Sequence, residues 1–206
     1  MFKNCIEAQE EFEKCWLNPS YTAIELDDVD IRQALSHYIV QPSVHFTKTL
    51  LWDMEAKKAW NPGDYIPYVI KTGSAKAWEK QPCPITGGEI FVRCSQQKQW
   101  LNPDVYEDVY EEVYVNPKNQ LITFLGVTTL PGLSSQLTPK QPLFHVQHGV
   151  GGEENHPTNT WRIVHLTKNR EPQLIKLFEN MNDPTTLPGF VKMYIEKDLH
   201  VVINKK

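Results

Sequence analysis

Between His145 and His156 the chain reads His-Val-Gln-His-Gly-Val-Gly-Gly-Glu-Glu-Asn-His, which puts three imidazoles (His145, His148, His156) and the Glu153 carboxylate into one short segment. Such nitrogen and oxygen donors suit zinc, iron or nickel. Their spacing argues against a joint site, because strand residues three apart point to opposite faces, so His145 and His148 converge only if the chain turns between them. The plain reading is one strand histidine and two loop histidines, with no metal expected. Acid/base chemistry needs less. His145 and His165 titrate near neutral pH, and Glu111 or Glu112 lies beside Tyr110 and Tyr114. Gly149 to Gly152 has no following Lys-Ser/Thr and runs into Glu153-Glu154, which would repel a phosphate. Neither a Gly-x-Ser-x-Gly elbow nor His-Glu-x-x-His occurs, so serine-hydrolase and zinc-protease chemistry gain no support.

These side chains must be held by the elements that the pattern predicts. Apolar Ile6, Phe12 and Trp16 among glutamates predict a helix over 4–16, ended by Asn18-Pro19. A short strand follows at 21–26, then a helix over 29–39 capped by Asp27-Asp28. Residues 43–52, rich in β-branched and aromatic side chains, predict a strand. Two short helices, at 54–60 and 65–70, flank Asn61-Pro62-Gly63. Strands are expected at 75–79 and 89–99. A hairpin joins 109–115 to 120–128 through Asn116-Pro117-Lys118-Asn119. The recurrence of Val-Tyr every four residues, at 105, 109 and 113, leaves a helix over 104–114 as the alternative, with the strand favoured. After a Pro/Ser/Gln-rich loop at 130–142, strands at 144–148 and 161–167 pair across a long loop at 149–159. A helix over 173–181 and a closing helix from Phe190 to about Ile203 end the chain, with Val191, Ile195, Leu199 and Val202 on the buried face.

Length and composition set the bounds. The 206 residues suffice for one domain with a real core. With 21 basic and 25 acidic residues the net charge is −4, too small and well mixed for a nucleic-acid footprint. No apolar run reaches the ~18 residues of a membrane span, and residues 1–14 lack a secretory core, so a cytoplasmic location is expected. Cys5, Cys15, Cys83 and Cys94 have no zinc-finger or disulfide spacing and read as free thiols. Cys83, between Pro82 and Pro84, reads as a loop residue, since no sequence neighbour lowers the pKa of its thiol.

A strand, paired short helices, a run of antiparallel strands and a C-terminal helix, with Ala59-Trp60 followed by Tyr65-Ile66-Pro67-Tyr68 and the 113–124 hairpin, resemble the helix-grip fold of the START, Bet v 1 and polyketide-cyclase superfamily. The resemblance spans residues 43–206 and leaves 1–42 as an N-terminal helical extension. It implies an α+β fold, a curved antiparallel sheet wrapped on a C-terminal helix with a central cavity for a hydrophobic or aromatic small molecule. Some members carry that molecule and others cyclise, dehydrate or isomerise it, so fold alone does not decide catalysis. The expected site pairs His145 and His165 as acid/base groups with Tyr110, Glu112, Tyr114, Trp161 and Tyr194 as ligand contacts, and needs no cofactor. His145, Trp161 and His165 share a surface if opposed residue numbers in the 144–167 hairpin add to an even total. The rivals are a metal-dependent cupin-like β-barrel built on His145, His148, Glu153 and His156, although cupins use a different His-x-His spacing, and a non-catalytic interaction module docking a partner through the N-terminal helices.

Overall fold

The computed structural model describes residues 4–132, 143–167, 171–181, 183 and 186–206. Most of the expected loop at 130–142 and part of the expected break before residue 190 lie outside them. The chain is α+β. Helix α1 (Cys5–Trp16) is capped by Asn4, whose side chain accepts from the Ile6 and Glu7 amides, and it buries Cys5, Ala8, Phe12 and Cys15 along one stripe. Then come β1 (Thr22–Glu25), β2 (Val29–Asp30), a short helix α2 (Ile31–Leu35) and β3 (Tyr38–Gln41). The expected helix over 29–39 is therefore only α2, because the Asp30 side chain, not Asp27 or Asp28, accepts from the Gln33 amide and starts the helix there.

The strand expected at 43–52 is not formed. Thr47 caps α3 (Lys48–Trp60) by accepting from the Leu50 amide, and Leu51, Met54, Glu55, Lys58 and Ala59 then fall on one buried face, a helical period that outweighs the β-branched content. A single turn, α4 (Pro62–Tyr65), follows with Pro62 at its start. Six strands make the meander: β4 (Lys76–Cys83), β5 (Gly88–Lys98), β6 (Tyr106–Asn116), β7 (Leu121–Gly126), β8 (Phe144–Glu153) and β9 (His156–His165). The Val-Tyr segment is thus strand β6, paired along its length with β5. The sheet order is β1-β9-β8-β7-β6-β5-β4, with β2 also on β9. The expected residue-42 boundary falls between β3 and α3, and β1 and β2 on its N-terminal side hydrogen-bond to β9 beyond it.

The chain ends with α5 (Pro172–Met181), α6 (Gly189–Lys197) and β10 (Val202–Lys205), which pairs with β3. The closing helix is shorter than expected, stopping at Asp198, and Val202 is 61 % exposed on a strand instead of buried on a helix. No described helix is long and apolar enough to cross a membrane.

The 149–159 loop is also replaced by strand. β8 and β9 continue to a tight turn at Glu154-Asn155, giving Phe144↔His165, His145↔Val164 and His148↔Trp161 as opposed pairs. Glycines permit this. A Cβ on Gly149 would collide with Thr160 Oγ1, and Gly152 has a φ of +70° against the His156 carbonyl.

Register sorts the sheet into two buried faces. Ala23, Val164, His145, Leu125, Glu112 and Val92 form one row across it. That face lies under α1, where Phe12 and Ala8 pack with Ile90, Tyr114, Leu125 and Val164. The neighbouring row, Ile24, Ile163, Val146, Phe124, Val113 and Phe91, points the other way, toward α3, α5 and α6.

Candidate functional site

The hairpin register separates the two expected acid/base groups. Opposed numbers add to an odd total, so His145 faces α1 and His165 faces the α3 and α5 side, and no surface holds both. His145 is buried with Nδ1 accepting from the Gly126 amide at 3.1 Å, and burial lowers its pKa. His165 is buried against Phe144, ring centroids 4.5 Å apart, with Nδ1 3.1 Å from Thr167 Oγ1; burial lowers it too. The expected ligand contacts divide likewise. Tyr110, Glu112 and Tyr114 lie on the α1 face, where the Tyr114 hydroxyl donates to Glu112 at 2.7 Å. Tyr194, on α6, instead donates to Asp53 Oδ2 at 2.6 Å on the other side. Of the seven residues only Trp161 belongs to the polar cluster that the fold assembles.

That cluster sits between α3 and the sheet. The α3 stripe carries Glu55 and Lys58, charged groups fully or almost fully buried where apolar ones are usual. Glu55 Oε1 accepts from Lys58 Nζ at 2.8 Å and Asn159 Nδ2 at 3.0 Å, and Oε2 lies 3.1 Å from His148 Nδ1. Burial opposes the Glu55 charge, yet Lys58 and then His148 hold its carboxyl below the usual range. Burial, then Lys58, drives His148 down to about 4, so its imidazole is neutral. Since a carboxylate only accepts, Nδ1 carries the hydrogen and Nε2 is the acceptor nitrogen.

Aromatic rings close the cluster. His148 stacks on Trp161 at 4.4 Å and 8°, Trp161 stacks on Phe190 of α6 at 5.6 Å, and Lys58 Nζ stands 3.7 Å over the Phe190 ring. Next to it, Arg93 Nε donates to Glu111 at 2.6 Å and Arg93 Nη1 to the Ala59 carbonyl at 2.9 Å, locking the end of α3 to β5. One donor is left over: Trp161 Nε1 is buried with no hydrogen-bond partner among the described residues.

The rival metal constellation does not assemble, since His145 and His148 lie on opposite faces and Glu153 and His156 sit at the far end of the hairpin. Among the described residues no group of three or more His, Cys, Asp or Glu side chains is placed to hold a metal ion. A cleft of about 240 Å³ opens instead beside α2, lined by Arg32, Ser36, Val40, Ser43, His45 and Phe46 among others.

The sequence carried a signal for Glu55 and Lys58: charges at 55 and 58 interrupt an apolar stripe at 51, 54 and 59, visible once 48–60 is taken as a helix. No comparable signal marks Asn159 or His148, whose contacts to Glu55 span 104 and 93 residues.

The architecture has solved counterparts. It is similar to the crystal structure of the ZhuI aromatase/cyclase from a Streptomyces species, with a TM-score of 0.50 and 10 % identity over 85 % of this chain and 95 % of that one. An uncharacterised protein from Bacillus thuringiensis matches with TM-score 0.43 and 16 % identity over 83 % and 98 % of the chains. A protein from Nitrosomonas europaea matches with TM-score 0.41 and 12 % identity over 89 % and 99 %. No family model and no curated protein matches the sequence.

Proposed function

The chain has the helix-grip fold of START and Bet v 1 proteins, and on that premise we propose that it binds a hydrophobic or aromatic small molecule between the sheet and α6, beside Trp161. The buried Trp161 Nε1, without a partner among the described residues, carries this reading. Leaving such a donor unsatisfied costs about 1–3 kcal/mol, and an acceptor oxygen on a ligand would recover it. The His148, Trp161 and Phe190 rings stack on one another, so a ligand would meet them along their edges, and a mostly apolar site with few polar groups is what small-molecule recognition uses. In this reading a cavity opens where α6 meets the sheet. Any acid/base step falls to His148, whose Nε2 accepts while Glu55 fixes the tautomer, and not to His145 and His165. The likeness to an aromatase/cyclase agrees with such a ligand class and supports it no further than the fold.

Native mass spectrometry of freshly purified protein, followed by calorimetric titration with 1-naphthol, tests the proposal. One bound equivalent is expected, with roughly fivefold weaker binding in Trp161→Phe, the equivalent of one lost hydrogen bond. A protein that carries no small molecule and takes up no 1-naphthol, or a Trp161→Phe variant that binds it as tightly as wild type, would overturn the reading.

A further inference from the structure

Two thiols far apart in sequence meet at the edge of the α1 layer. Cys83 ends β4 at the mouth of the turn to β5, and Cys5 opens α1. Both are buried in one cluster with Ile90 and Tyr114, their side chains interact, and Thr86 bonds to both residues, its hydroxyl to Cys5 Sγ and its amide to the Cys83 carbonyl. The contacts around them are those of a thiolate site. Asn4 caps the Ile6 and Glu7 amides, and the Cys5 amide, one of the first-turn donors a helix leaves unpaired, points at the Cys83 sulfur. The Thr86 backbone and side chain also hydrogen-bond to Cys83, and the Thr86 hydroxyl reaches Cys5 Sγ at 3.5 Å. Cys5 Sγ in turn lies 3.5 Å from the Val115 carbonyl.

We propose that Cys83 is an oxidisable nucleophile and Cys5 its resolving partner, the two closing to a disulfide when a small hydroperoxide reaches them. The Cys83 thiolate attacks one peroxide oxygen and the O–O bond breaks. The sulfur is oxidised by two electrons to a sulfenic acid, and the departing hydroxide is protonated to water. The Cys5 sulfur then attacks Cys83, the S–S bond forms, the S–O bond breaks, and hydroxide leaves as water with the Cys5 proton. Hydrogen peroxide is thereby reduced to two waters and the dithiol loses two hydrogens.

The electrostatics assign the order of the two thiols. Burial works against the Cys83 thiolate, but the Thr86 side chain, the Cys5 amide and the Cys5 thiol bring its pKa down to about 7. Burial pushes Cys5 up to about 12, so Cys5 stays protonated. The remaining cysteines are poorer candidates: burial, then Glu11, raises Cys15 to about 11, and burial raises Cys94. The bridge would tie the start of α1 to the β4 edge and fasten the layer that covers the His145 face.

Peptide mapping of the native protein under non-reducing conditions, after hydrogen peroxide and alkylation of the remaining thiols, tests this. A Cys5–Cys83 linked peptide is expected, with a mass loss of two hydrogens, reversal by dithiothreitol and a higher melting temperature for the oxidised form. In Cys5→Ala, dimedone should label Cys83; in Cys83→Ala, Cys5 should remain alkylatable at the same dose. The wild-type map decides even if a variant fails to fold. Oxidation confined to Cys94, with Cys5 and Cys83 both still alkylated, would overturn the proposal, as would Cys5 oxidising at the wild-type rate in folded Cys83→Ala.

Discussion

Replacing Glu55 by Gln should be among the most damaging single changes in the chain. It removes the only anion among the described residues that contacts Lys58 Nζ while leaving that ammonium almost fully buried over Phe190. Breaking a buried pair by removing one partner typically costs ~3–5 kcal/mol, because the stranded charge has lost its compensation. Against a total stability of ~5–15 kcal/mol for a domain, that loss is decisive. In a chain of this size each kcal/mol moves the melting point by ~2–4 °C, so the fall should be roughly 6–20 °C. Lys58→Met should cost less, because His148 and Asn159 remain to hydrogen-bond the Glu55 carboxylate. In the double variant neither charge is buried, and its loss should be smaller than the sum of the two single losses by at least ~1 kcal/mol. Urea unfolding of the four proteins measures the cycle. Single variants within about 0.5 kcal/mol of wild type, or strictly additive losses, would refute the view that the two charges depend on each other.

Two further outcomes are expected. His148 has a folded pKa near 4 against an ordinary value of 6.5, so the unfolded chain binds more protons between those limits. Stability should therefore be full above about pH 6.5 and decline as the pH falls toward 4, and His148→Gln should flatten that slope in urea titrations; the slope persists in part because His145 and His165 are also lowered. A slope identical to wild type would contradict a neutral buried His148. Deleting residues 190–206 removes Phe190, Val191, Tyr194, Ile195 and Ile203 from the core, each worth ~1.5–3 kcal/mol. The truncated chain should show no cooperative melt by calorimetry, and a melt near the parent temperature would mean that α6 and β10 are not needed to close the sheet.

The sequence alone determined α1 and the opposed orientation of His145 and His148, and it favoured the β5–β6–β7 meander over a helix at 104–114, because each rests on a local rule: a helical stripe, the alternation of a strand, a turn between β-rich runs. It also suggested the helix-grip fold, through the order of elements. Tertiary structure decided the rest. The start of α3 depended on whether Thr47 caps a helix or sits in a strand, and local preference favoured the strand until packing of Leu51, Met54 and Ala59 against the core outweighed it. The β8–β9 register depended on where the turn falls. Extending both strands through Gly149–Gly152 to a turn at Glu154-Asn155 moved His145 and His165 to opposite faces and put His148 beside Trp161. The Glu55–Lys58–His148–Asn159 cluster joins α3 to two strands about a hundred residues away, and the Cys5–Cys83 contact joins the first helix to β4. A sequence records the spacing of neighbours along the chain. Which buried charge meets which partner is set by sheet register and layer packing, and those are properties of the whole fold.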